Sequence, residues 1–421
     1  MNTLQKSVLA ALLLASSVAL TAPRSTLTFW HYFADRTDLF QALATEYEAQ
    51  TGVAVKLELL PGDVLGQKFQ AAAQANTLPD ISASWTGIGD ALAPYAKAGQ
   101  IMNLQTAMDA GWKNSFVKAQ LESVSFATKN TWGVKPGVYL VPLDSVNMQI
   151  FYNKTLFAKA GITQLPRSYD ELLAVSQRLR KAGIEPFISG FGSWGIPAFG
   201  QPYMWNMIGK ATIERTYLGQ ARYDSAPWVN YLGLFKRMAD ANMLATGGIT
   251  LDFPAAESMF GNGQVAMLYD GSWGIGVLKN IAPQFKDYGV FAPPPMDGAR
   301  YPLYINGGVG ATLFINGQSP RAKDALAFVK WITEPSQQAR YATSSLNLPA
   351  NRLVAGKVTM TENLTSFAQE MDRLPPALKA GMKAAVETTM IAGVQRLLQR
   401  QSSPAEVAAL MQKAQETDKP Q

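Results

Sequence analysis

The stretch TLTFWHYFADRTDLFQALATEYEAQTGVAVKLELLP, residues 26–61, decides the fold class. Residues 26–33 alternate apolar side chains with threonine, which predicts a strand. Residues 36–52 carry apolar side chains at helical spacing until Gly52 ends the pattern, and residues 53–61 form a second predicted strand that stops at a proline. A strand, a helix and a strand at this spacing indicate two parallel strands with their connecting helix packed on one face of the sheet.

The alternation of strands and helices continues along the chain and predicts an α/β protein. A helix at 67–75 and a strand at 79–85 complete the first unit, and a strand at 146–153 starts a second one. Because 421 residues exceed what one hydrophobic core usually supports, we expect two domains. The later predicted elements are a helix begun by a capping box at 168–171, a long loop at 189–202, a strand at 265–269, strand on both sides of the glycine pair within 304–315, a helix at 319–335 and a mostly helical C-terminal part.

The N-terminal segment 1–22 has the features of a secretory signal. Lys6 provides a positive charge, and residues 7–20 form an apolar run shorter than the roughly 20 residues that a membrane span requires. The chain contains 0 cysteines, which excludes disulfides, thiolate chemistry and a lipid-modified cysteine. We therefore expect an exported protein that is not tethered to a membrane and is held in the periplasm.

The sequence offers little for catalysis. A single histidine, His31, excludes the H-E-x-x-H zinc motif and leaves one imidazole for any catalytic triad. Ser193 and Ser272 lie in near matches to the nucleophile elbow that lack its first glycine. The paired carboxylates of a glycosidase stay open at this point, because their separation is spatial rather than sequential. We expect a protein without enzymatic activity, cofactor or metal, and the lack of a Lys/Arg run argues against a nucleic-acid partner.

Aromatic and polar side chains follow several predicted strands at their carboxyl ends. Ligands bind at this edge of open α/β sheets, and sugars stack their apolar faces on indoles while their hydroxyls bond to carboxylates and amides. Each tryptophan could instead be core, His31 could be a hydrogen-bonded core histidine, and Asp35 could cap the next helix. The candidates from this argument are Trp30, His31, Ser84, Trp85, Tyr203, Trp205, Asp270 and Trp273.

Several segments together resemble the extracellular solute-binding proteins of carbohydrate ABC importers, the family that includes maltose-binding protein. The most specific piece is YNKTLFAKAGI, residues 152–162, with SYDELL downstream. Their order and spacing cover nearly the whole chain after residue 22. Other matching pieces are FQALATEYEAQTGVAVKLEL, QAAAQANTLPDISASW, MFGNGQVAMLYDGSW, YINGGVGATLFINGQSPRAKDALAFVKWITEPSQQARYA and LPANR.

The resemblance implies a two-lobed periplasmic-binding-protein fold of type II, in which each lobe has a mixed, mostly parallel sheet flanked by helices and the ligand lies between the lobes. The implied function is capture of a mono- or short oligosaccharide by a monomeric protein, which closes on its hinge and delivers the sugar to the permease subunits in the membrane. The implied hinge crossings lie near 146–153, 304–308 and Glu334. Lobe 1 would comprise residues 24–145 and 306–334, and lobe 2 residues 146–305 and 335–421.

The resemblance also implies ligand-binding residues, although GQPYMW has Gln201 where the family carries an acid. Maltose-type members have a ligand-binding glutamate near Val146, so Asp144, Ser145 or Asn147 would substitute for it and the sugar would differ from maltose. The glycine-rich crossing would let bare backbone approach the ligand. The implied set is Trp30, His31, Tyr32, Asp35, Ser84, Trp85, Asp144, Ser145, Tyr203, Trp205, Asp270, Trp273, Asn306, Gly307, Gly308 and Arg352.

Two other functions stay open at this point. A polyol, glycerophosphoryl or phosphorylated ligand would need cationic residues at the site, and Arg352 is the arginine in a matching segment that could serve. A secreted glycosidase or a lectin-like protein is opposed by the incomplete triad and by the importer-like order of the segments.

Overall fold

The computed structural model describes residues 24–84, 88–89, 91–354, 356–378 and 380–417. The signal segment 1–22 and Trp85, both singled out in the sequence, lie outside these residues. Two large apolar cores, each built around its own sheet, divide the described chain into lobe 1 and lobe 2. This confirms the predicted two-lobed α/β architecture. None of the helices in the described ranges combines the length and the apolar composition needed to cross a membrane.

The first part of the chain builds most of lobe 1. Gly52, left-handed at a φ of 73°, ends the first helix as the sequence predicted. The elements of this part are the strands β1 (Ser25–His31), β2 (Val53–Leu59), β3 (Ile81–Ser84), β4 (Ser125–Phe126), β5 (Gly137–Val138) and β6 (Val141–Pro142), and the helices α1 (Thr37–Thr51), α2 (Gly62–Ala75), α3 (Ala93–Lys97), α4 (Gln105–Asp109) and α5 (Lys118–Ser123).

The middle of the chain builds most of lobe 2. Ser168 caps a helix there, because its Oγ accepts the N–H of Glu171 at 3.3 Å, as the capping-box pattern predicted. The elements of this part are the strands β7 (Asp144–Asn153), β8 (Glu185–Ile188), β9 (Val265–Gly271) and β10 (Tyr288–Phe291), and the helices α6 (Lys154–Lys159), α7 (Tyr169–Lys181), α8 (Gly195–Ile208), α9 (Lys210–Tyr217), α10 (Ala226–Asp240), α11 (Phe253–Gly261) and α12 (Gly274–Ile281).

The last part of the chain returns to lobe 1 and then completes lobe 2. The glycine pair predicted to separate two strands lies within the first of them instead. The strands here are β11 (Gly307–Val309), β12 (Thr312–Ile315) and β13 (Leu348–Pro349), and the helices are α13 (Ala322–Ile332), α14 (Pro335–Ser345), α15 (Glu362–Gln369), α16 (Ala384–Leu398) and α17 (Pro404–Thr417).

The sheet of lobe 1 has five strands in the order β2-β1-β3-β12-β6. Strand β1 is parallel to β2 and β3, whereas β12 is antiparallel to both of its neighbours. One face of β1 packs on α1 and α13, where the ring of Phe29 meets those of Phe40 and Phe328 edge-on. Successive side chains of β1 point to opposite faces of the sheet. Both faces are covered by helices, one by α1 and α13 and the other by α2.

His31 belongs to the core of lobe 1, which corrects the prediction that its imidazole meets a ligand. Its side chain is 0% exposed, and its ring stacks against Phe33 and Phe40 with centroids 5.5 and 5.9 Å away. Its Nδ1 accepts the N–H of Phe33 at 3.2 Å. Burial, and to a smaller extent the charge of Arg36, lowers the pKa of His31 to about 4. The alternative of a core histidine therefore holds for its location, but only in part for its hydrogen bonding, because the buried Nε2 has no partner within the described residues.

Trp30 points to the opposite face of β1 and is also covered. It packs on Leu65 and Ala72 of α2, and the ammonium of Lys68 lies 4.3 Å from its ring centroid. These contacts leave 9% of Trp30 exposed, so the predicted stacking surface is occupied by the protein's own helix.

The main sheet of lobe 2 has the strand order β10-β7-β9-β8. Strand β7 is antiparallel to β9 and β10, and β8 is parallel to β9. The largest core of the lobe contains α8, α10, α16 and α17, and Trp228 at its centre is 0% exposed. The indole N–H of Trp228 donates to Thr216 Oγ1 at 3.0 Å, so the buried ring keeps a polar partner.

The prediction of a long loop at 189–202 is wrong, because α8 begins at Gly195 and includes the second half of this segment. A Cβ on Gly195 would lie 2.5 Å from the carbonyl carbon of Gly190, so the glycines serve close packing rather than a mobile loop. Ile196 and Phe199 are fully buried. Burial of such side chains contributes about 1.5–3 kcal/mol each and offsets the roughly 3 kcal/mol cost of the proline inside this helix.

The lobes are joined where the short strands β11 and β13 pair with the start of β7. Gly308 lies opposite Val146, and Pro349 lies opposite Asp144. The long strand β7 therefore runs from this junction into the sheet of lobe 2.

Helix α14 belongs to lobe 1, which corrects the crossing predicted at Glu334. Tyr341 is part of the lobe 1 core, and Arg340 pairs with Glu46 of α1 at 2.5 Å. The chain first packs on lobe 2 with Leu346, directly after α14, and passes fully into that lobe with α15. The boundary predicted after Glu334 is therefore one helix too early, because the chain leaves lobe 1 only after α14.

A buried cluster of charged side chains lies at the junction. Arg36 donates through Nε to both carboxylate oxygens of Asp35 at 3.0 Å and through NH1 to Asp144 Oδ2 at 2.6 Å. The hydroxyl of Tyr341 accepts from Arg36 and donates to Asp144 Oδ2 at 2.5 Å, and the N–H of Ala311 donates to Asp144 Oδ1 at 2.6 Å. Burial raises the pKa of Asp144 to about 6, against the opposing effect of Arg36. We call Arg36, Asp35, Asp144 and Tyr341 the hinge network.

Gly310 passes so close to this network that a side chain does not fit, since a Cβ there would lie 2.1 Å from Asp144 Oδ1. We expect Gly310→Ala to lower the free energy of unfolding in urea by about 1–3 kcal/mol, the usual cost of overpacking. Gly233→Ala on α10 is the matched control, because nothing lies within 4 Å of its added Cβ. A Gly310→Ala protein as stable as the Gly233→Ala protein would contradict this packing.

Replacing Arg36 by Met leaves Asp35 and Asp144 buried without their cation. We expect Arg36→Met to lower the free energy of unfolding by about 3–5 kcal/mol, and the double variant Arg36→Met/Asp144→Asn to recover part of the loss. Arg24→Met is the control, because Arg24 pairs with Asp324 while its side chain is 66% exposed, and its effect should stay below about 1 kcal/mol. Similar losses for Arg36→Met and Arg24→Met would show that the hinge network does not stabilise the fold.

The buried imidazole predicts a specific loss of stability in acid. The unfolded chain binds a proton at His31 below about pH 6.5 and the folded chain below about pH 4, so the free energy of unfolding falls as the pH drops through this window. His31→Asn, which keeps an acceptor, should fall less steeply over the same range in chemical denaturation. Asp144 acts in the opposite direction in both proteins, so the difference between the two curves reports His31. Parallel curves would exclude a neutral buried imidazole.

Candidate functional site

The loop after β1 brings lobe 1 residues toward lobe 2. Tyr32 lies at the start of this loop with its ring 4.7 Å from that of Phe33. Burial and the neighbouring charges of Asp144 and Asp35 raise the pKa of the Tyr32 hydroxyl. Asp35 makes no cap for the following helices, so the capping alternative does not hold.

Asp35 is a direct contact between the lobes. Its main-chain carbonyl accepts from Asn280 Nδ2 of α12 at 3.2 Å, and its Oδ2 accepts from Asn347 Nδ2 at 3.4 Å. Gly276 permits this approach, since a Cβ there would lie 3.6 Å from Asp35 Oδ2 and 2.6 Å from the carbonyl oxygen of Ser345. Helix α12 therefore contacts the loop after β1 of lobe 1 along its length, from Gly276 to Asn280.

Three rings of lobe 2 form a surface that we call the aromatic platform, consisting of Trp194, Phe253 and Trp273. The centroid of Trp194 lies 4.2 Å from that of Phe253 and 5.9 Å from that of Trp273. Trp194 is 48% exposed and Phe253 6%, so the indoles flank a buried phenylalanine. The Trp273 ring covers Gly271, where a Cβ would lie 1.9 Å from the ring. The platform presents apolar faces on which a flat ligand can stack.

Two buried carboxyls lie behind the platform, and we call Glu257 and Asp270 the carboxyl pair. Trp273 Nε1 donates to Glu257 Oε1 at 3.3 Å, and the N–H of Gly271 donates to Asp270 Oδ1 at 2.8 Å. Burial raises the pKa of Glu257 to about 7, and the charge of Asp35 adds to this effect. Burial and then the neighbouring Glu257 raise the pKa of Asp270 well above its usual range. An acid of lobe 1 and the carboxyl pair of lobe 2 thus share one electrostatic environment.

The hinge residues Asn306, Gly307 and Gly308 are partly exposed beside the first residues of β7. Asn306 Nδ2 donates to the carbonyl of Ala198 at 3.2 Å. A Cβ on Gly307 would lie 2.4 Å from the carbonyl oxygen of Val146, so this glycine serves the close approach of the crossing strands. Contact between this backbone and a ligand stays a prediction.

Tyr203 and Trp205 lie in the core of lobe 2, which corrects their prediction as ligand contacts. Tyr203 is 0% exposed, with ring centroids of Tyr169 and Phe199 at 5.1 and 5.3 Å. Trp205 is 3% exposed and meets Tyr304 edge-on at 5.4 Å. Both residues belong to α8, whose helical conformation turns them inward.

Asp144 and Ser145 were predicted to replace a ligand-binding acid, but both are buried and bonded within the protein. Asp144 is engaged in the hinge network, and Ser145 Oγ accepts from Gln120 Nε2. The start of β7 therefore holds the lobes together rather than presenting free acceptors.

Ser84 and Arg352 lie apart from the platform. Ser84 is buried at the end of β3, where its carbonyl accepts from Thr312 Oγ1 at 3.0 Å. Arg352 is exposed, and its Nε donates to the carbonyl of Asn114 in lobe 1 at 2.8 Å. Of the predicted set, Asp35, Asp270 and Trp273 lie around the platform and the carboxyl pair, whereas Tyr32 and Asp144 lie with Asp35 at the hinge network.

Sequence reasoning missed Trp194, Phe253 and Glu257. Trp194 lies in the motif FGSWG, which drew attention for its serine. Helix α11 carries Phe253, Glu257 and Phe260 at positions i, i+4 and i+7, which lie on the same face of a helix. This face is otherwise apolar, so the spacing was a signal in the sequence that Glu257 is a buried acid.

The described residues do not assemble a serine–histidine pair, because His31 lies in the lobe 1 core whereas Ser193 and Ser272 lie in lobe 2. Within the same ranges no three His, Asp or Glu side chains are grouped as a metal site requires. The arrangement is suited to binding, since it combines stacking surfaces with carboxyl groups at the contact between two lobes.

Comparison with known proteins agrees with this description. The model of the bacterial extracellular solute-binding protein family matches residues 33–339. A putative binding protein of Brucella abortus is 26% identical over 349 residues, which are 82% of this chain and 80% of that protein. The multiple sugar-binding protein of Streptococcus mutans is 28% identical over 251 residues, or 58% of each chain.

A solved structure of a chitin oligosaccharide binding protein is similar in fold, with a TM-score of 0.79 at 23% sequence identity. The alignment covers 93% of this chain and 98% of that chain. Because the family match extends over most of the sequence and the two-lobed architecture agrees with it, this chain belongs to the bacterial extracellular solute-binding protein family.

Proposed function

We propose that this protein captures a mono- or short oligosaccharide in the periplasm and delivers it to the permease subunits of an ABC importer. The observation that carries the proposal is the aromatic platform, in which an indole that is 48% exposed lies beside that of Trp273. The partner of Trp273, Glu257, is close enough to Asp35 of lobe 1 for the charge of Asp35 to raise its pKa. Pyranose rings have apolar faces that stack on indoles and a rim of hydroxyls that bond to carboxyls and amides.

The relatives support a sugar as the ligand. A multiple sugar-binding protein aligns with more than half of the chain, and a chitin oligosaccharide binding protein has the same fold. The two indoles with centroids 5.9 Å apart offer more stacking area than a single ring needs, which favours an oligosaccharide over a monosaccharide.

Hinge closure is the proposed response to the ligand. A ligand that contacts both lobes stabilises the closed arrangement by the difference between its closed-state and open-state affinities. Asp35 from lobe 1 and the platform from lobe 2 are positioned to make those contacts, while the hinge network keeps Asp35 fixed. The closed form would then present a surface made by both lobes to the permease.

An anionic ligand fits this site less well. The charged groups beside the platform are acidic, namely Asp35, Asp252 and the carboxyl pair. The guanidinium of Arg36 already pairs with Asp35 and Asp144, and that of Arg352 is bonded to a lobe 1 carbonyl. A phosphorylated ligand would therefore meet repulsion that a neutral sugar does not.

Truncating the platform should weaken sugar binding. A thermal-shift screen of mono- and oligosaccharides, followed by calorimetric titration of those that raise the melting temperature, identifies the ligand. We expect Trp273→Ala and Trp194→Ala each to cost about 1–3 kcal/mol of binding free energy, the range measured for a stacked aromatic on a nucleobase.

Trp132→Ala is the control for these variants, since Trp132 is 38% exposed on the loop between β4 and β5 of lobe 1. Its sugar affinity should equal that of the unmodified protein. Unchanged affinity in both platform variants would remove the platform from the site. Release of new reducing ends from an oligosaccharide would instead indicate a glycosidase.

A further inference from the structure

The carboxyl pair is placed where it controls the orientation of Trp273. Glu257 is 6% exposed and Asp270 0% exposed, so neither is a surface acid. Trp273, in contrast, is partly exposed on the platform. The indole is therefore partly exposed to solvent while its N–H donates to a buried acid, so the hydrogen bond that orients the ring is made on its buried side.

Apart from the neighbouring rings of Trp194 and Phe253, with centroids 5.9 and 6.3 Å away, the surroundings of Trp273 leave the indole few restraints. Its ring rests on Gly271, which has no side chain to lock it. A Cβ on Gly274 would lie 2.4 Å from Asp270 Oδ2, so the acid fills the space beneath the start of α12. The hydrogen bond from Nε1 to Glu257 Oε1 at 3.3 Å, with the adjacent Asp270 also interacting with the indole N–H, is the polar contact that sets the rotation of the indole.

The groups that face the carboxyl pair are mostly acidic. Asp252 comes from the N-cap of α11, and Asp35 comes from the loop after β1 of lobe 1. Tyr269 on β9 is neutral, with a pKa far above its usual value because of burial. Lys279 of α12 is directed elsewhere, since its Nζ donates to the carbonyl of Ser344 at 3.4 Å.

Two carboxyls this close and this buried do not ionise together, because each charge raises the pKa of the other group. Burial and the acids around it raise the pKa of Glu257 to about 7, and burial and the neighbouring Glu257 raise the pKa of Asp270 well above its usual range, so the pair keeps at least one proton. Glu257 is 6% exposed and accepts from the indole, whereas Asp270 is 0% exposed, so Glu257 is the member placed to release a proton to solvent. When it does so, its proton goes to solvent, and the carboxylate accepts from both Asp270 and the Trp273 indole.

We propose that Glu257 is a positioning residue for Trp273, and that loss of the single proton from Glu257 fixes the indole for ligand stacking. A charged acceptor forms a shorter and stronger hydrogen bond than a neutral one, so the indole is held more firmly once Glu257 is ionised. The effect on ligand affinity rests on the proposed function, whereas the effect on the indole does not.

The indole N–H is observed directly in the ligand-free protein labelled with 15N-tryptophan. The chain has 9 tryptophans, and Trp273→Phe identifies the resonance of interest. We expect this proton resonance to move downfield as the pH rises from 5.5 to 8.5, with a midpoint at about 7. Trp228 and Trp112 are internal controls, because their Nε1 atoms donate to threonine hydroxyls that do not titrate.

Glu257→Gln keeps the shape and an acceptor but cannot ionise, so the Trp273 resonance should become independent of pH. Asp270→Asn removes the repelling neighbour, so the midpoint should fall. Unchanged Trp228 and Trp112 resonances show that both variants are folded. A Trp273 resonance that does not move in the unmodified protein, or that moves equally in Glu257→Gln, would overturn the proposal.

Titration with maltotriose and with triacetylchitotriose tests the consequence for binding. If either binds, affinity should rise roughly threefold to tenfold from pH 5.5 to 8.5 in the unmodified protein and stay level in Glu257→Gln. Binding that is equally dependent on pH in both proteins would overturn the role in ligand affinity. A Trp273 resonance that moves with pH, without binding of any sugar in the screen, would support the positioning role of Glu257 and contradict the proposed sugar-binding function. Failure of the positioning role is therefore distinguishable from failure of the proposed function.

Discussion

The buried ion pair between Arg36 and Asp144 is the interaction on which the arrangement of the lobes depends. Asp144 is the first residue of β7, and its carboxylate accepts from the loop after β1, from the residue before β12 and from α14. A buried carboxylate is stable only when it is paired and hydrogen-bonded, so these three segments keep their relative positions. Asp35, on the other side of Arg36, is thereby held facing lobe 2.

Most of the fold could be predicted because its elements follow local rules. The period of apolar residues located β1, α1 and β2, Gly52 ended α1, and Ser168 capped α7. The errors have a different origin. The segment 189–202 has the composition of a loop, and the chain beyond Glu334 has no local signal for the lobe on which it packs. Both were decided by tertiary burial, of Ile196 and its neighbours in one case and of α14 in the other.

The site was harder to predict, because an aromatic residue at a strand end looks the same in sequence whether it faces a helix or a cleft. Trp30 lies within the pleat of β1 and is turned beneath α2, whereas Trp273 comes two residues after β9 and is free of that pleat. Trp194 became visible only once α8 was known to start after it. Glu257 had a signal in its helical spacing, but the meaning of that signal depends on the indole opposite it.

The hinge network and the carboxyl pair are linked by charge as well as by position. Arg36 is shared between two carboxylates, so it does not fully neutralise Asp35, whose field raises the pKa of Glu257 in the other lobe. In the proposed hinge motion, opening would increase the distance between Asp35 and Glu257 and let solvent screen the repulsion. Glu257 then holds its proton less tightly in the open arrangement than in the closed one. By linkage, the proton on Glu257 would favour the proposed closure while it loosens Trp273, so the stacking surface and the hinge would respond to the same titration in opposite directions.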